Sequence, residues 1–306
     1  MANFYGSATI MLFSNATLLS FQDSLPENFN ELLAEQAFEP CNAFSQHSFG
    51  WVTPMPEGFS ELSRSFGNRT LFCGRREEKV IPASALQSLI LEKAKHWESL
   101  EGEKPSGKQR LQFKEAALTE LLPRALCKSK NILAYADPTA KLLVINSRSA
   151  NEVESFLNYL RTSLGSLAVK RLDAGTASTQ HFTQWLRRDQ PPEGFALGDA
   201  CDLFDPEDSA SINCRRVSLR SPEILAHLDQ GRICTRLRLS FEDNLSFTLD
   251  KDLVLQQIKS ETHVDLVDID DSIEPEVKAL AELDAQFSLF SQEMAQLYPK
   301  LVKAVS

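Results

Sequence analysis

The chain has 306 residues, 42% of them apolar and 24% charged, with only 12 glycines and 14 prolines; this is ordinary globular usage and excludes a disordered or collagen-like chain. No apolar run reaches the length of a membrane-spanning helix, which excludes an integral helical membrane protein. The net charge of −10 taken alone argues against a polyanion partner, but it is unevenly placed: residues 60–132 carry a net +5 and residues 241–306 a net −9, and the basic charge concentrated in the middle of the chain is the first functional hint, because local charge controls contact.

Residues 8–19 read as one or two strands, and Pro26 opens a short helix carrying Phe29, Leu32, Leu33 and Gln36. Gly50-Trp51-Val52-Thr53-Pro54 is a strand running into a turn, and Thr70–Ile81 is a long strand stopped by Pro82. A helical hairpin follows. Ser84 and Gln87 have the spacing of a capping box, and Leu86, Leu89, Ile90, Trp97 and Leu100 recur at helical spacing. The turn spans Gly102–Gly107, and a second helix with Leu111, Leu118, Leu121 and Leu122 stops at Pro123. Two helices around a polar turn predict a projecting tip.

Ile132–Ala136 and Leu142–Ile145 form a hairpin about Asp137-Pro138-Thr139. Ser149 and Glu152 cap a helix with Val153, Phe156, Leu157 and Leu160, and Gly165 ends it before a strand over Leu167–Leu172. Pro191-Pro192-Glu193-Gly194 marks a boundary. Beyond it come a strand over Ile212–Leu219, a helix with Pro222 at its first position that Gly231 stops, and a hairpin over Ile233–Leu249. Val277, Leu280, Leu283, Phe287, Phe290, Met294, Leu297 and Leu301 recur every three or four residues, the stripe of a core-packing helix. The predicted class is α+β with mixed or antiparallel sheets.

The motifs that carry chemistry mostly fail. Gly102–Gln109 nearly matches a phosphate loop, but a helix precedes it and Gln109 stands where Mg²⁺ needs Ser or Thr. Asp265, Asp268, Asp270 and Asp271 form a carboxylate cluster that a Mg²⁺-dependent nuclease would use, or that favours the dipole of the helix after it. The five histidines have no metal-binding spacing. The six cysteines (41, 73, 127, 201, 214 and 234) lack any C-x-x-C pair and read as reduced thiols of a cytoplasmic protein. The first basic residue is Arg64, so no secretory leader is expected. No constellation able to run catalysis, no metal site and no cofactor is expected.

The basic groups remain. Arg75, Arg76 and Lys79 lie on the strand entering the hairpin, with Arg75 and Lys79 on one face. Arg124, Lys128 and Lys130 line the chain leaving it. Arg215 and Arg216 sit on a strand, and Arg236 and Arg238 face outward while Leu237, Leu239 and Phe241 face a core. Each group alone is a solvated face, whereas several aimed one way form a phosphate-tracking surface.

Several segments, in order and over nearly the whole chain, then resemble one family. They are Gly50–Pro54, Arg76–Pro82, Leu121-Leu122-Pro123-Arg124-Ala125, Ser163-Leu164-Gly165-Ser166-Leu167, Gln184-Trp185-Leu186 and Gln230-Gly231-Arg232. The family is the recombination-associated protein RdgC of bacteria. The resemblance implies a head-to-head homodimer closed into a ring, with duplex DNA through a positively lined hole. It implies centre (1–82 with 131–175), tip (83–130) and base (176–306) regions. It implies binding of single- and double-stranded DNA with little sequence preference, antagonism of RecA by occupying DNA, a nucleoid location and no catalysis. Carried over, Arg124 and Leu126 fall where the tip contacts form, and Arg215 and Arg216 in the basic stretch of the base. Leu126 stands where the family often has Phe, and Val217 where it has a polar residue. Two alternatives stay open: the Asp265–Asp271 nuclease, and a protein–protein scaffold using the hairpin and the last helix.

Overall fold

The computed structural model describes residues 12–172, 175, 177–260 and 274–305. Its elements in chain order are β1 (Asn15–Phe21), α1 (Phe29–Ala34), β2 (His47–Val52), β3 (Ser63–Phe66) and β4 (Arg69–Val80), then α2 (Ala83–Glu101) and α3 (Gly107–Leu121). A single 3₁₀ turn (Leu122–Arg124) leads into β5 (Leu126–Asp137), β6 (Leu142–Ile145), α4 (Ala150–Leu164), β7 (Val169–Arg171) and α5 (Ala177–Arg188). The chain continues with β8 (Phe195–Phe204), β9 (Ser211–Arg215), α6 (Pro222–Asp229), β10 (Ile233–Phe241), β11 (Leu245–Asp250), β12 (Leu255–Ser260) and α7 (Pro275–Val305). The α+β class holds, and every pairing between named strands is antiparallel.

The strands hydrogen-bond in the order β2-β4-β5-β6-β1-β12-β11-β10-β8-β9, with β3 on β4 and β7 on β1. Strand β1 joins the two halves. Its first residues, Asn15 and Ala16, pair with β12, and Thr17–Ser20 pair with β6. The sequence therefore builds a central β1 whose residues 16–19 are all buried, as a strand covered on both faces requires.

Two apolar cores follow from this layout. Val153, Phe156, Leu157 and Leu160 form one stripe of α4 and pack with Trp51, Phe72, Ala134 and Ile145. Ser149 caps this helix, accepting from the Glu152 N–H at 3.4 Å. The larger core receives the stripe of α7, with Phe287, Phe290, Met294, Leu297 and Leu301 all buried. Phe13 stacks on Phe290 at 4.7 Å, and Tyr135 meets Phe287 edge-on at 5.4 Å. The stripe is shorter than its periodicity predicts, because Val277 is exposed.

Helices α2 and α3 form the predicted pair. Trp97 lies 6.0 Å from Phe113, and Lys93 Nζ is 2.9 Å from Glu120. Helix α2 buries no residue and α3 buries only Ala117. The capping box is not where the spacing predicts it. Pro82 holds the N-cap position of α2 and no side chain caps that helix, so Ser84 and Gln87 lie inside the helix. The box forms at α3: Ser106 Oγ accepts from the Gln109 N–H at 3.5 Å, and Gln109 Oε1 accepts from the Ser106 N–H at 2.6 Å. Gln109, the residue that spoils the phosphate-loop match, is thus half of a helix cap.

Two further corrections concern the strands. The strand predicted over 212–219 ends at Arg215, where the next residue, Arg216, leaves the extended conformation at φ +55°. Arg216 therefore lies just past the strand. Strands β3, β8 and β12 complete the sheet without having been predicted.

Candidate nucleic-acid interface

Strand β10 alternates as its sequence dictates. Leu237, Leu239 and Phe241 are buried against the core, so Arg236 and Arg238 stand on the opposite face. The ladder places Arg236 against Asp202 on β8 and Asp250 on β11, and Arg238 against Thr248. At the sheet edge, β9 sets Arg215 opposite Ala200. These registers gather Arg215, Arg216, Arg236 and Arg238, with Lys259 from β12, around a trough of about 560 Å³. Thr248, Gln256 and Gln257 also line it, and Asp199 is the one acidic residue among its lining.

The arginines differ in what holds them. Arg215 Nη1 is 2.5 Å from Asp202 Oδ1, and this hydrogen bond holds the guanidinium pKa above its ordinary value. Arg236 Nη1 reaches the other Asp202 oxygen at 3.5 Å. Asp202, with 12% of its side chain exposed, thus props two arginines at once. Arg238 has no carboxylate at ion-pair distance among the described residues. Its Nη1 donates to Gln257 O at 3.0 Å and its Nη2 to Ser246 Oγ at 2.8 Å, both neutral acceptors. Burial pushes its pKa down, against the opposing pull of Asp199. A half-buried cation held only by neutral groups is stabilised by an anion brought into the trough. Arg216 is exposed and has no ion pair among the described residues.

The second predicted group lies elsewhere in the sheet. Residues Thr70–Val80 of β4 pair with Leu126–Ala136 of β5, which puts Arg76 opposite Lys130 and Glu78 opposite Lys128. Five strand-to-strand steps separate β5 from β10. Arg75, Arg76, Lys79, Arg124, Lys128 and Lys130 therefore do not join the trough. Most are held by their own neighbours. Arg75 donates to Asn131 at 2.8 Å and lies over the Phe38 ring. Arg76 pairs with Glu78 at 3.2 Å, and Lys130 with the nearly buried Glu152 at 2.7 Å. Lys79 Nζ donates to Ala43 O at 3.0 Å and Leu122 O at 2.7 Å. Arg124 and Lys128 are exposed. Leu126, beside Arg124, is 81% exposed.

Lys259 is the trough cation that sequence reasoning missed, because it lies on the unpredicted β12. The acidic cluster Asp265–Asp271 lies outside the described residues. Among the described residues, one set of donors is close enough to hold a metal ion: Cys41, Glu77 and Cys127.

A family model described as "Putative exonuclease, RdgC" matches residues 11–306. The chain belongs to the RdgC family. A Recombination-associated protein RdgC of Pseudomonas fluorescens is 31% identical over 300 residues, covering 96% of this chain and 97% of the relative. That of Pseudoalteromonas translucida is 32% identical and that of Xanthomonas axonopodis pv. citri 33%, each over 96% of this chain and 98% of the relative. The resemblance read from the short segments is thus a family relationship over nearly the whole chain. Trough and hairpin both lie within the stretch that the RdgC model matches, and no helix among the described residues is long and apolar enough to cross a membrane.

Proposed function

We propose that this chain is a sequence-independent DNA-binding protein that contacts the phosphate backbone through the trough of Arg215, Arg216, Arg236, Arg238 and Lys259. The observation that carries the reading is the half-buried Arg238, held by neutral acceptors beside four further cations. Such a surface attracts any phosphate chain, because it offers charge on a sheet and no helix for reading base edges.

The finer mechanism rests on the family relationship. Two subunits close head to head into a ring, with the exposed Leu126 region at one contact and the base region at the other, and DNA passes through. Closure by a two-fold operator needs two self-complementary patches. Threaded on DNA in the cytoplasm, at the nucleoid, the ring limits access of the RecA recombinase. The chain acts by binding and cleaves nothing.

Two measurements test this. Mobility shift on duplex DNA with and without Mg²⁺ gives a shifted band and intact DNA; a cleavage ladder supports the nuclease named in the family description and overturns the binder. A cysteine pair placed across the Leu126 contact and oxidised before mixing blocks loading on closed circles but permits threading onto linear ends. Equal loading of the oxidised and reduced forms on circles overturns the ring.

A further inference from the structure

We propose that Cys41, Glu77 and Cys127 form a Zn²⁺ site that clamps the root of the α2–α3 pair. The three residues come from three separate segments: the loop between α1 and β2, strand β4 and strand β5. Two thiol sulfurs and a carboxylate oxygen all lie within 4.8 Å of one another. Zinc–sulfur bonds of about 2.3 Å set two tetrahedral thiolates about 3.8 Å apart, inside that range.

The carboxylate is already oriented. Glu77 is 8% exposed; its Oε1 accepts from the Cys41 N–H and its Oε2 from Ser129 Oγ, each at 2.8 Å. Bonds of this kind fix a ligand before the metal arrives. The loop carrying Cys41 is fixed at both ends. Phe38 N–H donates to Trp51 O and Lys79 N–H to Gln46 O, each at 2.9 Å. Gly50 permits the first contact, because a Cβ there would lie 2.4 Å from Phe38 Cα.

Donor chemistry selects the ion. Two sulfurs and one carboxylate suit Zn²⁺ and disfavour Mg²⁺ and Ca²⁺, which take oxygen. Binding turns both thiols into thiolates and releases two protons to solvent. Three protein ligands leave a fourth position, and the exposed Cys127 opens it to water. The bound set then carries a net charge of −1, which the neighbouring Lys79 ammonium offsets.

The consequence is mechanical. Glu77 and Cys127 lie on the two strands that lead into and out of the helical pair. An ion shared by both strands and the 41-loop fixes the base on which α2 and α3 stand.

The test uses the reduced full-length chain titrated with Co²⁺. One equivalent gives a thiolate-to-cobalt charge-transfer band with tetrahedral d–d bands, and Zn²⁺ abolishes them. Cys127→Ala, which removes an exposed side chain, eliminates the charge-transfer band, and Glu77→Gln weakens binding by at least about tenfold. Cys214→Ala, on strand β9 where Cys214 pairs with Cys201 of β8, leaves the spectrum unchanged. No thiolate band at one equivalent, or a band that survives Cys127→Ala, overturns the site.

Discussion

A Cβ built on Gly198 would lie 2.5 Å from Cγ of Arg238. The stem of this arginine crosses the backbone of β8 at the one residue that leaves it room. The β8–β10 register shifts between Leu237 and Leu239, the same place. Gly198→Ala therefore displaces Arg238 without touching a core side chain. The expected result is DNA affinity weakened roughly five-fold, about 1 kcal/mol, with a lowered melting temperature as well, because the added Cβ also meets Arg238 Cβ at 3.0 Å and its backbone oxygen at 3.1 Å. Titration of a labelled duplex alongside a melting curve measures both.

Arg215 and Arg216, adjacent in sequence, separate in function. Arg215 is tied to Asp202, so Arg215→Ala costs about 1 kcal/mol of stability; the arginine side chain is half exposed, and Arg236 remains to hold Asp202. Arg216→Ala removes no ion pair seen among the described residues and lowers affinity at constant melting temperature. If Arg215→Ala combined with Arg216→Ala loses affinity with no stability change, the Asp202 tether is not a structural contact.

Affinity falls steeply with salt. Each phosphate neutralised on duplex DNA contributes about −0.9 to the slope of log affinity against log salt. Removing Lys259, the one trough cation on β12, makes the slope shallower by about one such step. Two duplexes of unrelated sequence give the same slope.

Asp250 gives a pH signature. Its carboxylate accepts from the N–H groups of Asp252 and Val254, both at 3.0 Å, and from Gln256 Nε2. Burial nevertheless raises its pKa above the ordinary aspartate value. A raised carboxylate pKa means that the folded chain binds the proton more tightly than the unfolded chain. This group therefore favours folding more as pH falls through its folded value toward the unfolded value near about 3.9. Asp250→Asn lacks that response. Melting curves from pH 7 to pH 4 should show the parent gaining on the variant; the opposite trend would mean that the hydrogen bonds outweigh burial.

The cap at α3 is tested locally. Ser106→Ala removes the hydroxyl that accepts from the Gln109 N–H, leaves the Ser106 backbone N–H that Gln109 holds, and destabilises the helix start by about 1 kcal/mol. Amide exchange should accelerate in residues 107–110, while α4 exchange stays unchanged.

Periodic segments were legible in the sequence. The α4 and α7 stripes, the β10 alternation and the hairpin about Asp137 all follow from apolar spacing. Strand β12 was not legible, because Gln257 adopts φ +51° and breaks the alternation, leaving Leu255 and Gln256 both buried. That irregularity hid Lys259 and the floor of the trough. Strand β8 hides for the same reason, since its pairing with β10 shifts twice. The basic residues themselves were visible, but their grouping was not. Only the strand order separates the β4–β5 cations from the β9–β12 cations, and local spacing carries no strand order. Cys41, Glu77 and Cys127 stayed unlinked for a related reason: their proximity depends on the β4–β5 ladder.

The measurement that tests the central claim most directly compares two charge-removal variants by fluorescence anisotropy on one labelled duplex at fixed salt. One combines Arg216→Ala, Arg236→Ala and Lys259→Ala in the trough; the other combines Arg124→Ala and Lys128→Ala beside the hairpin. The account predicts that the trough variant loses at least about tenfold in affinity, and more than the hairpin variant, with both proteins folded. Full affinity in the trough variant would contradict the assignment of the DNA surface to the arginines of β9 and β10.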